Sequence, residues 1–295
     1  MSFWGMPLMF VIAGFSIWHS LDQRRPLAFV QERTQRLLVP LLMGLVLLAP
    51  PQVYYQLRGN ESYAEPFTQI LSRFFDVELT FDFPWFVAAS PPTGLFHVAH
   101  LWFIYDLFLY TLLLLPLFLF LRTESGLVPI RRLASFLSRQ WNLLYMGLPI
   151  AAIEAALGTD MSGGWNQVAY LIFLLLGFLL AADKRLWESA CRLRKIGFAL
   201  AVLGSAVGLA GGMHYAESAG ANILVDYDPV SVMLRLLKGM IGWCWLVAIL
   251  GLLEANRRSG ESRFEERELS RKRILWRAAE AYRYCPSRYF TKPSS

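Results

Sequence analysis

The sequence predicts an all-α, polytopic membrane protein of about seven transmembrane helices, and three observations carry that reading. Hydrophobic residues make up 56% of the 295-residue chain and charged residues 17%, with a mean hydropathy of +0.41; a soluble domain of this length is less apolar and more charged. The charges gather in short clusters between long apolar runs, and about twenty apolar residues are what a helix needs to cross the hydrocarbon core. Aromatic residues reach 15%, with 10 Trp, as interfacial aromatic belts require.

Seven apolar stretches read as spans: roughly 3–19, 37–56, 98–121, 141–158, 165–183, 196–213 and 230–253. Pro40, Pro50, Pro51, Pro116 and Pro149 lie in or beside them, which packed neighbours tolerate. Residues 1–255 then form one membrane domain, and 256–295 a basic cytoplasmic tail. In that tail Glu268 precedes Lys272 by four residues, which favours a surface helix.

Lysine and arginine counts set the orientation. Loop 20–36 holds four (Arg24, Arg25, Arg33, Arg36), loop 122–140 four (Arg122, Arg131, Arg132, Arg139), loop 184–195 five and the tail 254–295 eleven. The alternate loops are poor: two in 57–97 (Arg58, Arg73), none in 159–164 or 214–229. Every second loop is basic, so the N-terminus is expected outside and the tail in the cytoplasm, in a bacterial inner membrane. The net charge of +6 lies beside the spans and is read as positive-inside charge facing the bilayer, with no nucleic-acid partner. No basic n-region or small-residue cleavage site opens the chain, so no cleavable signal peptide is expected. Cys191, Cys244 and Cys285 show neither metal-site nor disulfide spacing.

The outer segment 57–97 carries Phe67, Ile70, Leu71, Phe74 and Phe75 at helical spacing, an amphipathic helix. An irregular re-entrant or interfacial loop is expected after it, through Phe81, Phe83, Trp85 and Pro91-Pro92. That segment is either a packed external loop or a lid.

Ionisable residues at membrane depth are costly and are therefore candidates for function. His97, His100, Trp102 and Asp106 open the third span. The two His share a helix face, but no carboxylate or Cys completes a metal site; they line either an aromatic belt or a polar cavity. Asp106 lies deeper and requires a partner or water. Arg33 and Arg36, one turn apart, are either a clamp for phosphate groups or ordinary positive-inside anchors. Arg235 and Lys238, in the seventh span, either snorkel to the outer interface, the favoured reading, or line a polar path, and Glu154 in the fourth span is a similar case. His19 is expected at an interface and His214 in an outer loop. Asp226 and Asp228 either meet a glycan or are loop charges. No GxSxG, P-loop, Rossmann or Ser-His-Asp pattern is present.

The segment Met6-Pro7-Leu8-Met9-Phe10-Val11-Ile12-Ala13-Gly14-Phe15 resembles the "MPLFFFISGF" stretch of the acyltransferase-3 family of membrane acyltransferases. Arg33 and Arg36 match its Arg-x-x-Arg pattern, and His100-Leu101-Trp102-Phe103-Ile104 resembles its "HLWFL" signature. Residues 225–229, 242–245 and Gly251 are similar to the glucans biosynthesis protein C subgroup. The resemblance covers roughly residues 3–255. It implies transfer of a succinyl or acetyl group from a cytoplasmic coenzyme A thioester to a hydroxyl of a periplasmic glucan or other glycan, with no bound cofactor. Arg33 and Arg36 would hold the donor. His100 and Trp102 would shape the cavity near the acceptor; with the costly ionisable residues added, the catalytic candidates are His100 and Asp106, and the cavity-lining ones Trp102, Glu154, Arg235 and Lys238. Two departures stand out: the helix that precedes "MPLFFFISGF" in the family, with its His general base, is missing, as are the last helices. The resemblance therefore implies an enzyme truncated at both ends. A transporter of an acyl or glycan intermediate, or an inactive homologue, are the alternatives.

Overall fold

The computed structural model describes residues 4–59, 65–82, 85–91, 94–96, 98, 101–158, 163–220, 222–223 and 225–283, with side chains at all of these except 81, 82, 85, 86 and 260–283. Among the described residues the fold is all-α apart from one hairpin. Eleven helices follow in order: α1 (Gly5–Gln23), α2 (Pro26–Arg33), α3 (Val39–Leu47), α4 (Ala49–Arg58), α5 (Phe67–Phe74), α6 (Trp102–Leu121), α7 (Glu124–Leu137), α8 (Gly147–Leu157), α9 (Gln167–Ala182), α10 (Lys184–Ala219) and α11 (Pro229–Arg283). Each of the seven apolar stretches is helical over most of its described residues. Among the described residues four helices are long and apolar enough to cross a membrane: Pro26–Arg58, which joins α2 to α4, Trp102–Leu121, Lys184–Ala219 and Pro229–Ser259. Asn142–Leu157 and Gln167–Ala182 are shorter apolar helices.

Local chemistry explains the helix starts. Pro26 stands at the first position of α2 behind an extended Arg25, where its missing N–H costs nothing. Asn166 and Asp183 cap α9 and α10 by accepting from Val168 N and Arg185 N, each at 2.9 Å. Asp228 accepts from the amides of Val230 and Ser231 at 3.1 and 3.0 Å and so caps α11, whose first residue is Pro229.

The core is aromatic. Phe10 of α1 stacks on Tyr170 of α9 at 4.7 Å, and Phe118 of α6 on Phe178 of α9 at 4.3 Å. Helices α1 and α9 approach backbone to backbone at Gly14 and Gly177: a Cβ on Gly14 would collide with the Leu174 carbonyl, and one on Gly177 with that of Val11. Such contacts suit lipid, where close packing between small residues drives helix association. Outward, Leu42, Met43, Val46, Leu47, Leu203, Val207 and Met213 are exposed, an apolar surface fit for acyl chains.

The basic segments gather at one end of the bundle. Arg122, just past α6, donates to Asp22 at 2.6 Å and lies over Trp18 of α1. Arg185 donates to the Arg131 carbonyl at 3.3 Å, and Arg258 faces Glu188 at 3.8 Å. These contacts join the four basic segments that alternation in the sequence groups together.

Several expectations change. Residues 184–195 are the first turns of α10, and α9 and α10 meet at Asp183, because a 36-residue helix outruns the bilayer and its polar third continues beyond it. Residues 124–137 form α7, whose Ile130, Ala134 and Leu137 are buried while Arg131 and Arg132 are exposed. The amphipathic helix is α5, with Ile70 and Phe74 buried. Beyond it stands a hairpin rather than an irregular loop: β1 (Val77–Asp82) pairs antiparallel with β2 (Trp85–Ala89), Val77 opposite Ala89. Ala49, Val53 and Phe74 make a second small core with Leu45, Leu57, Leu95 and Phe96, so the half of the 37–56 stretch away from Arg33 and Arg36 packs on α5 and on residues 95–96. His214 is exposed on the last turns of α10 rather than in a loop. Asp228 is a helix cap that also accepts from Tyr215 Oη at 2.7 Å, and Asp226 accepts from Asn222 N at 2.6 Å. Helix α11 runs unbroken past residue 255.

Candidate functional site

Two polar clusters stand apart along the bundle. The first lies at the basic end. Glu32 accepts from Arg36 Nη2 at 2.7 Å and is also bonded by Arg24. Arg36 is exposed, its side chain 72% accessible. Arg33 is half-buried, its guanidinium carbon 5.4 Å above the Phe29 ring, a cation–π placement. Directly after Arg33 the helix widens into a π-helical turn, Thr34–Leu38, a feature that recurs at functional sites. Arg33 and Arg36 thus share a turn but not a partner. Arg24, part of the loop count in the sequence, joins them through Glu32.

The second cluster lies at the other end, where α6 begins. Trp102, Asp106 and Tyr110 follow at four-residue spacing down one stripe of α6, and Asp106 is fully buried. Tyr110 Oη donates to the Gln167 carbonyl at 3.0 Å and lies 3.3 Å from Gln167 Oε1. Trp102 packs against Tyr170, ring centroids 5.3 Å apart. Gly163, at φ +66°, sits where a Cβ would strike both Trp102 and the Tyr170 hydroxyl; its positive φ and the tight space both call for glycine. His97 and His100 lie outside the described residues.

Beside this stripe, Glu154 of α8 is fully buried. Its Oε2 accepts from Lys238 Nζ at 2.7 Å and its Oε1 from Asn166 N at 2.6 Å. Lys238 also stands 4.7 Å from the Trp165 ring centroid. Arg235, one turn earlier on α11, is 1% exposed. It donates to the carbonyls of Ile223 at 3.3 Å and Ala155 at 3.4 Å and lies beneath the Tyr227 ring. Arg235 and Lys238 therefore do not snorkel. A carboxylate inside the bundle gives Lys238 a partner, and pairing within the protein replaces hydration at the interface.

Residues 165–167 bridge Glu154 and Lys238 to Tyr110, so Trp102, Asp106, Glu154, Arg235 and Lys238 stand around one polar end of the bundle. Tyr110, Trp165, Asn166 and Gln167 belong to it too and were not singled out by sequence, as does Tyr227, which entered only within the 225–229 stretch. Tyr110 had a signal, since it continues the 102–106 spacing; Trp165 to Gln167 read only as a helix start. Among the described residues no group of three or more His, Cys, Asp or Glu lies close enough to hold a metal ion.

Long apolar helices, an outward apolar surface and a charged pair buried between helices define a multi-pass membrane protein. Residues 1–265 match the acyltransferase-3 family, described as an acyltransferase domain. The chain belongs to that family and is by membership a membrane acyltransferase. Searches of curated proteins and of solved structures found no match.

Proposed function

We propose that this protein transfers a succinyl or acetyl group from coenzyme A, bound at the basic end, to a hydroxyl of a periplasmic glucan or other glycan at the opposite end. The observation that carries the proposal is the separation of two polar clusters along one bundle. Arginines stand where the basic segments gather, and buried polar side chains stand at the other end. By the positive-inside rule the basic end faces the cytoplasm of a bacterial inner membrane, with seven spans and the N-terminus outside. Coenzyme A is cytoplasmic and polyanionic, which suits Arg24, Arg33 and Arg36. Gly44 rests against Leu101, at the start of α6, and comes eleven residues after Arg33. At the rise of an α-helix that is roughly 16 Å, the order of distance a flexible thioester arm has to cover.

In the reaction the acceptor hydroxyl oxygen bonds to the thioester carbonyl carbon and the C–S bond breaks. The hydroxyl proton leaves through a general base, and coenzyme A departs as the thiol. His100 is proposed as that base, with the buried Asp106 as a second catalytic residue. Trp102, Glu154, Arg235 and Lys238 would shape the acceptor end.

Membranes containing the protein are incubated with labelled succinyl- or acetyl-coenzyme A and a glucan acceptor. Label is expected in the glucan, with KM for the donor raised by Arg33→Ala and Arg36→Ala. Transfer without either arginine's help would remove the donor assignment. No transfer from either donor would remove the proposed reaction.

A further inference from the structure

We infer that Arg235 is the centre of an oxyanion-binding subsite that takes a carboxylate or phosphate group at the polar end of the bundle. Its guanidinium is buried, yet its hydrogen bonds are two long ones to carbonyl oxygens, at 3.3 and 3.4 Å. Nε is buried with no acceptor. Among the described residues no carboxylate forms an ion pair with it. Glu154 accepts from Lys238 and Asn166, and Asp228 accepts from Tyr215 and the first amides of α11. A buried cation without a counter-ion is expensive. Lys238, a second cation one turn on, adds to that cost, and its own carboxylate is already engaged.

A guanidinium edge with Nε free is the shape that receives two parallel bonds from a planar oxyanion. Tyr227, 64% exposed, lies over the guanidinium with its ring centroid 5.0 Å from the central carbon, and a 3.3 Å bond runs from its hydroxyl to the Ala156 carbonyl. In the proposed subsite the oxyanion enters as that ring swings aside. The alternative role, a tie for the last carbonyls of α8, predicts stability but no response to anions. The subsite holds whatever acyl group the protein transfers. Its oxyanion comes either from a soluble molecule or from an acidic lipid headgroup.

The purified full chain is placed in phosphatidylcholine nanodiscs. Thermal unfolding is followed as chloride is replaced by phosphate or acetate at constant ionic strength, and again in discs containing phosphatidylglycerol. A soluble oxyanion as occupant gives a saturable rise in Tm with phosphate or acetate in the neutral discs. A lipid headgroup gives the rise with phosphatidylglycerol and no added anion. Arg235→Lys keeps the charge but loses the fork, and is expected to raise the half-saturating concentration about tenfold, the equivalent of one lost bond. Tyr227→Ala changes no charge and is expected to lower it. No response to any of the three anions overturns the subsite, as does a response that both variants leave unchanged.

Discussion

Lys238→Met leaves the Glu154 carboxylate inside the bundle without its cation. The pair is tight, 2.7 Å, and Glu154 is fully buried while Lys238 is 13% exposed. Removing one partner of a buried pair costs about 3–5 kcal/mol. The small exposure of Lys238 places this case near the lower end, about 3 kcal/mol. Glu154→Gln keeps an acceptor for Asn166 N but leaves Lys238 beside Arg235 with no acid, and is expected to cost a similar amount. The double variant leaves one buried cation and no stranded carboxylate. Its cost should fall well below the sum, with a coupling of about 2 kcal/mol. Reversible unfolding of all four proteins in mixed micelles measures the cycle. Coupling below about 0.5 kcal/mol would mean that the two groups behave as independent sites, and the polar end would then lose its organising pair.

Three further outcomes follow from other parts of the molecule. Gly14→Leu drives a side chain into the Leu174 carbonyl and should cost about 1–3 kcal/mol; an unchanged unfolding midpoint would mean α1 and α9 do not pack closely in the membrane. Hydrogen bonds from Ser231 and the Tyr215 hydroxyl hold the Asp228 carboxyl well below the usual carboxylate range. Its folded pKa is depressed, so its contribution is whole above about pH 4 and drains away as the pH falls further; Asp228→Asn should flatten that acid limb in a pH series of melting curves. Arg36→Ala should raise donor KM more than it lowers kcat, since Arg36 stands exposed at the basic end, and the steady-state constants measure that split.

The legible part of this protein is what period and composition carry. Apolar runs marked the four span-length helices and the shorter apolar ones, and the spacing of Phe67, Ile70 and Phe74 marked α5, because burial along a helix repeats every 3.6 residues. The alternation of basic loops foretold which segments meet at one end, and the Arg122–Asp22 and Arg258–Glu188 contacts join them. The hairpin had a weaker signal: Val77 to Asp82 alternates apolar and polar residues, but it stands among aromatics that read as an interface. Helix α7 was hidden by Pro129 and by four arginines counted as loop charge.

Sequence by itself determined the solvent of this chain and its helices, since hydrophobic length and the placement of charge are local properties that lipid reads directly. It also marked Asp106, Glu154, Arg235 and Lys238 as costly. Only the tertiary structure decided their company. Glu154 meets Lys238 across 84 residues, Tyr110 meets Gln167 across 57, and Arg235 is left with carbonyls and a tyrosine ring. No pattern along the chain holds those pairings, because they depend on which helix faces stand side by side. That is set by glycine contacts and aromatic packing between α1, α6, α8, α9 and α11 rather than by the charged residues themselves.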